Sequence, residues 1–129
     1  MIQETRLAEL HCLIWVLTDA PQLDATSRSV IANAEGVSFS EASIWELGLK
    51  WRKGKIAVQP RRLADQAFAN GLRPWPIQME PLLVSCELRQ SHGDPFGRLL
   101  YAQARHAGFR LLSIDRTLST FGFVVITPK

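Results

Sequence analysis

The chain is expected to form an α/β domain on a parallel sheet, and three features of its 129 residues point there. Helical and strand-like patterns alternate along its length, as they do in layered α/β folds. The strand-like runs are short and apolar throughout, which suits strands covered on both faces. Hydrophobic residues make up 47% and charged residues 21%, an ordinary globular balance that excludes disorder as the global state. No repeat, low-complexity tract or linker interrupts residues 1–129, so one domain with one core is expected.

The elements follow in order. His11 to Leu17 reads as a short apolar helix with a turn at Asp19-Ala20-Pro21. A polar helix is expected over about 25–34. Val37 to Ser40 is a short strand. Glu41 to about Lys53 is a strong helix, since Ile44, Leu47, Gly48 and Trp51 recur at helical spacing, and Gly54 ends it. Pro60 to Ala69 is another helix, stopped by Asn70-Gly71. Leu72 to Gln78 carries two prolines and is weak as a strand. Pro81 to about Gln90 is a helix. Asp94-Pro95 opens the next one in the favoured way, with Asp as N-cap and Pro in the first turn. Phe96, Leu99, Leu100, Ala104 and Ala107 give that helix a buried stripe, and Gly108 closes it. Phe109 to Ile114 and Phe123 to Thr127 are the last strands. In parallel sheets ligands gather beyond the carboxyl ends of the strands, so Ser40 and Asp115 mark where chemistry is sought.

Charge and cysteine usage narrow the classes. The formal charge is +3. Lys50, Arg52, Lys53, Lys55, Arg61 and Arg62 lie close together, and no acid falls between Glu46 and Asp65. Such a stretch can meet phosphates; it is equally what a solvated helix end with cations near its C-terminus looks like. Cys12 and Cys86 are too few and too far apart for a disulfide framework, so two buried thiols are expected. The apolar run Cys12 to Leu17 is too short to cross a bilayer, and Glu4, Arg6 and Glu9 interrupt any signal-like segment. A cytoplasmic chain is expected.

Four acids stand out. Glu9 precedes the first helix, Glu46 lies at the edge of an amphipathic helix, Asp94 caps a helix and Asp115 ends a strand. Acids converging from strand ends and helix starts repel one another and call for a cation. Mg²⁺ or Mn²⁺ prefers oxygen ligands and would activate water against a phosphodiester. Each acid also has a local explanation. Asp94 is accounted for by capping, Asp115 by a turn, Glu46 by pairing with Lys50 at i+4, and Glu9 by simple exposure. The scattered His11, His92 and His106 and the absence of a Cys-x-x-Cys pair speak against structural zinc. No nucleophile elbow or phosphate-cradling glycine loop is present.

Four segments in order carry a resemblance. They are His11-Cys12-Leu13-Ile14-Trp15 with Leu17-Thr18-Asp19 and Pro21; Ser40-Glu41-Ala42-Ser43-Ile44-Trp45-Glu46 with Lys50 and Gly54-Lys55; His92-Gly93-Asp94-Pro95-Phe96-Gly97-Arg98-Leu99-Leu100 with Ala102-Gln103-Ala104; and Leu111 to Asp115 with Gly122. From about Glu9 to Thr127 the chain resembles the PIN-domain family, in particular VapC-like toxins of toxin–antitoxin pairs. That resemblance implies a three-layer α/β/α sandwich with a mainly parallel sheet. It also implies a Mg²⁺- or Mn²⁺-dependent endoribonuclease, a cognate VapB-like antitoxin and a homodimer. The family's second acid maps onto Glu46, its last onto Asp115, and the first Asp of its Asp-Pro-Phe-Asp stretch onto Asp94.

Two positions depart from the family pattern. Glu9 stands where the family has Asp at the end of an opening strand, and Thr5 to Ala8 is poor strand material. Gly97 stands at the second Asp of Asp-Pro-Phe-Asp, which in the wider family resembles the third metal ligand. Two functions therefore compete. One is an active ribonuclease whose metal is bound by Glu46 and Asp115 with Glu9 or Asp94, and whose RNA phosphates meet Lys50, Arg52, Lys53 and Arg98. The other is a degenerate domain that binds RNA or a protein partner without cleaving. Charge alone does not separate RNA from DNA as the polyanion.

Overall fold

The computed structural model describes residues 6–18, 36–88, 94–113 and, as backbone, 125–126. The elements are β1 (Arg6–Ala8), α1 (Leu10–Thr18), β2 (Val37–Ser40), α2 (Glu41–Arg52), α3 (Pro60–Ala69), β3 (Arg73–Trp75), α4 (Met79–Glu87), α5 (Pro95–Ala107), β4 (Arg110–Leu112) and β5 (Val125–Ile126). The turn expected at Asp19-Ala20-Pro21, the polar helix over about 25–34, and Asp115 lie outside the described residues. The five strands form one sheet in the order β3-β2-β1-β4-β5, and every neighbouring pair is parallel.

Alternation along the strands produces the layers. Successive residues of a strand point to opposite faces of the sheet. Ala8, Phe39 and Leu112 pack on one face with Leu10 and Leu13 of α1, Leu47 of α2 and Leu63 of α3. Leu7 and Leu111 pack on the other with Leu100, Tyr101 and Ala104 of α5. Helices thus cover both faces, which makes the expected three-layer sandwich with its parallel sheet.

Two strand expectations are corrected. The segment before Glu9 is not poor strand material but the central strand, paired with β2 on one side and β4 on the other. Its Leu7 and Ala8 are fully buried. Three residues suffice there, because each backbone group of a central strand finds a partner and both faces are covered. The proline-bearing segment is also a strand, β3, and Pro74 is tolerated because β3 lies at the sheet edge.

Helix ends obey local chemistry. Gly108 adopts φ +75 at the end of α5, where its N–H and that of Phe109 reach back to the carbonyls of Arg105 and Ala104. That left-handed geometry is cheap only for glycine. The buried face of α2 overlaps the one expected, with Leu47 inside and Ile44 packed on the core, and extends to one side of it. Ala42, Ser43, Glu46 and Leu47 are inside, while Trp51 is 41% exposed. The Glu46 carboxylate, expected at the edge of that face, is therefore buried. Cys12 is buried as expected; Cys86 is exposed, contrary to expectation, because α4 turns that side to solvent.

Candidate acidic site at the sheet switch point

The strand order sets the location. From β1 the chain winds outward through β2 to β3, then returns to the other side of β1 with β4 and β5. The winding reverses between β1 and β4, and crevices at such reversals, beyond the carboxyl ends of the strands, are where open α/β sheets bind ligands. Glu9 is the residue that follows β1. Its N–H donates to the Leu112 carbonyl of β4 at 2.9 Å, and its own carbonyl accepts from Leu13 N–H at 2.8 Å to start α1. Glu9 is thus held by backbone bonds on both sides of the crevice.

Glu46 arrives from the neighbouring strand. β2 ends at Ser40, whose hydroxyl caps α2 by accepting from Ala42 N–H at 3.0 Å. The same hydroxyl donates to Gln103 Oε1 at 2.6 Å, and Gln103 Nε2 donates to the Pro76 carbonyl at 3.2 Å. This buried bracket ties the start of α2 to α5 and to the segment after β3. Glu46 follows in α2, 4% exposed, with Oε2 accepting from Lys50 Nζ at 2.8 Å. Asp94 stands at the N-terminus of α5, where Oδ1 accepts from Phe96 N–H at 3.0 Å.

The three acids share one electrostatic environment. Burial holds the Glu46 carboxyl above its ordinary value, Lys50 opposes this, and the charges of Asp94 and Glu9 raise it further. His11 belongs to the same environment. Its polar contact with the Glu9 carboxylate raises its pKa, against burial and against Lys50. Cys12, on the same helix, is made inert by burial with Glu9 adding to the upward shift. Glu9 Oε1 is buried without a hydrogen bond and forms an ion pair with His11 Nδ1 at 3.9 Å. Buried polar atoms are almost always hydrogen-bonded, so a carboxylate oxygen left without such a bond marks a place for a cation or a water.

Other sequence-derived candidates are placed differently. Asp115 lies outside the described residues. Gly97 is buried in the first turn of α5 and offers no side-chain ligand. Arg52 and Lys53 are exposed, at the C-terminal end of α2. Lys50, with its side chain one-third exposed, pairs with Glu46. The Arg98 guanidinium donates to the carbonyls of Ser85 at 3.0 Å and Leu88 at 2.6 Å, where it satisfies carbonyls at the end of α4. Two participants were not expected from the sequence. His11 is two residues from Glu9, and that closeness was the only available signal. Ser43, one turn before Glu46, has a buried hydroxyl without a partner; its small size on a helical inner face reads simply as packing.

No group of three or more His, Cys, Asp or Glu side chains that could hold a metal is formed among the described residues. The donor chemistry nonetheless suits a hard divalent cation, because Mg²⁺ is commonly bound through one or two carboxylates and completed by water and substrate phosphate. Glu9, whose Oε1 accepts no hydrogen bond, and Glu46 fit that role as a pair.

An acidic crevice at the switch point of a parallel three-layer sandwich defines a class, and sequence comparison supplies the family. Residues 11–124 match the PIN domain model, and the chain belongs to the PIN domain family. No curated protein matches it. Its fold is similar to that of a chain of VapBC2 from Rickettsia felis bound to a DNA fragment from their promoter, at TM-score 0.72 and 14% identity over 97% of this chain and 99% of that one. A toxin–antitoxin complex from Klebsiella pneumoniae superposes at TM-score 0.67 and 16% identity, covering 96% and 98%. VapC20 of Mycobacterium tuberculosis, a sarcin–ricin-loop-cleaving toxin, does so at 0.60 and 17%, covering 92% and 96%. No helix among the described residues is long and apolar enough to cross a membrane.

Proposed function

We propose that this chain is a VapC-like toxin, an endoribonuclease dependent on Mg²⁺ or Mn²⁺, cytoplasmic, homodimeric and neutralised by a VapB-like antitoxin. The observation that carries the reading is the buried Glu9 Oε1, free of hydrogen bonds at the carboxyl end of the central strand and within the electrostatic reach of Glu46. The antitoxin and the RNA substrate rest on the likeness to toxin–antitoxin complexes and to the loop-cleaving toxin.

In this reading Glu9 and Glu46 hold the divalent ion, with Asp115 as a further ligand by family resemblance. When bound, the ion polarises a phosphoryl oxygen and lowers the pKa of a water. The chain's own groups do the rest. Asp94 keeps negative charge beside Glu46 while its cap bond orders the first turn of α5. Lys50 neutralises Glu46 in the absence of other cations, and its ammonium is within reach of an incoming phosphate when that pair opens. Arg52 and Lys53 meet RNA phosphates farther along α2. Arg98 serves the packing of α4 on α5.

The test is cleavage of a structured RNA pool with Mn²⁺, Mg²⁺ or EDTA, using the unmodified chain, Glu46→Gln and the double variant Glu9→Asp/Gly97→Asp. Metal-dependent cleavage that disappears in Glu46→Gln is expected. Silence from the unmodified chain with cleavage by the double variant would replace this reading with that of a binding-only domain.

A further inference from the structure

The two helices that bring Glu46 and Asp94 are tied to each other at two points. The first tie is buried. Gln103 of α5 is fully buried, and its Oε1 accepts from the hydroxyl of Ser40, the N-cap of α2, at 2.6 Å. Gln103 Nε2 donates to the Pro76 carbonyl at 3.2 Å. That carbonyl can only accept, so the amide has one workable orientation. The residue after Pro76 holds α2 as well, since Ile77 N–H donates to Glu41 Oε1 at 3.3 Å. The second tie is apolar: the Trp45 ring meets Phe96 of α5 edge to face, with centroids 5.5 Å apart at 75°. Ser40 to Trp45 spans roughly 8 Å along α2, and Phe96 to Gln103 roughly 10 Å along α5. The start of α2 therefore lies beside the later turns of α5, and the two helices run in opposite directions. Glu46 and Asp94 fall just beyond the Trp45–Phe96 tie, at the same end of the pair.

We propose that Gln103 is a positioning residue: with Ser40 it fixes the axial register of α2 on α5 and so sets the approach of Glu46 to Asp94. Edge-to-face rings are favourable over centroid separations of about 4.5–7 Å, so the Trp45–Phe96 tie tolerates sliding. A hydrogen bond does not, because it weakens steeply with distance and angle. The Ser40 hydroxyl has no slack, since its proton goes to Gln103 and its oxygen accepts from Ala42 N–H at 3.0 Å. Packing alone would be met by an apolar side chain, as at Leu99, Leu100 and Ala104 on the same helix. The amide adds direction, and its effect on Glu46 passes through α2. The inference rests on the ribonuclease reading for the reaction served, whereas the register belongs to the chain itself.

The test joins a structural readout in EDTA to cleavage kinetics with Mn²⁺. Gln103→Met keeps the volume and removes both bonds, and Ser40→Ala breaks the same tie from α2. Ser85→Ala removes a hydroxyl of α4 that bonds the Leu82 carbonyl and serves as the control for destabilisation alone. Melting curves set a temperature at which each variant is folded, and if one of the first two does not fold the other carries the comparison. The chain is labelled with 5-fluorotryptophan, and the Trp45 resonance is assigned with Trp45→Phe. Gln103→Met and Ser40→Ala are expected to shift that resonance, and Ser85→Ala to leave it in place. A misplacement of about 1 Å costs on the order of 10²-fold in rate, so kcat should fall by about that factor in both variants with KM nearly unchanged. A Trp45 resonance in Gln103→Met that coincides with that of the unmodified chain overturns the inference. So does a shifted resonance with kcat unchanged, or an equal fall of kcat in Ser85→Ala. An unmodified chain that cleaves no RNA overturns the ribonuclease reading, and the Trp45 resonance still decides the register.

Discussion

Replacing Lys50 with Met tests whether the acidic crevice depends on its internal cation. Lys50 Nζ stands 2.8 Å from Glu46 Oε2, with the lysine side chain 34% exposed and the glutamate 6%. Two unit charges at that distance attract by roughly 6 kcal/mol at an effective dielectric of about 20. Most of that is offset by the desolvation that burial imposes. Exposed pairs at i, i+4 are worth about 0.3–0.5 kcal/mol, and breaking a fully buried pair costs about 3–5 kcal/mol. A buried carboxylate with a one-third exposed partner falls between these limits, so Lys50→Met should lose about 1–2 kcal/mol at pH 8 in EDTA.

The loss should depend on pH, and its sign follows from Glu46. Burial raises the Glu46 pKa above its ordinary 4.5 in the folded chain. The folded state therefore holds this proton at pH values where the unfolded state has released it, and ionisation of Glu46 costs stability as pH rises through the folded pKa. Removing Lys50 enlarges that cost, because both of its effects on Glu46 are downward. The Lys50→Met deficit should be full above the folded pKa of Glu46 and shrink as pH falls through it. Urea unfolding followed by circular dichroism from pH 8 down to about pH 4, just below the ordinary glutamate value, would measure this for the unmodified chain, Lys50→Met, Glu46→Gln and the double variant. A deficit of equal size at both ends of the range would refute the reasoning. So would a double variant whose loss equals the sum of the two single losses.

Two further predictions concern capping and thiol chemistry. Asp94→Ala should cost about 1 kcal/mol by removing the cap of α5 while Asp94→Asn retains most of the stability; equal losses in urea unfolding would show that the cap is not the source. In the native chain one thiol should react rapidly with a disulfide reagent and one should not, because Cys86 is exposed and Cys12 is buried, with burial and Glu9 raising the Cys12 pKa. Equal rates for the two would contradict the packing of α1.

The site was partly legible in the chain because its pieces are tied to local signals. Asp94-Pro95 announces a helix start, and Asp94 does cap α5. Glu46 and Lys50 stand at i, i+4, and they do pair. What could not be read locally was depth. The apolar spacing of α2 pointed to Ile44, Leu47, Gly48 and Trp51 as its inner face; Leu47 is buried and Ile44 packs on the core, but α2 also turns Ser43 and Glu46 inward and leaves Trp51 outside. A helical stripe is about as wide as the choice between adjacent faces, and only packing against the sheet and α5 decides it.

The sequence by itself determined the α/β class, most of the helices and their ends, and the family to which the chain belongs. The class and the helix ends follow from turn chemistry, capping and periodicity, which act over a few residues; the family follows from the resemblance carried by four ordered segments. Tertiary structure alone decided that Arg6–Ala8 is the central strand, because three residues become a strand only when partners on both sides bond their backbone. It also decided that Glu9 ends at the switch point with a buried oxygen free of hydrogen bonds, that Lys50 pairs with a buried Glu46 and that Arg98 donates to carbonyls at the end of α4. Each of those outcomes depends on groups far apart in the chain, and no local pattern encodes the distance between them.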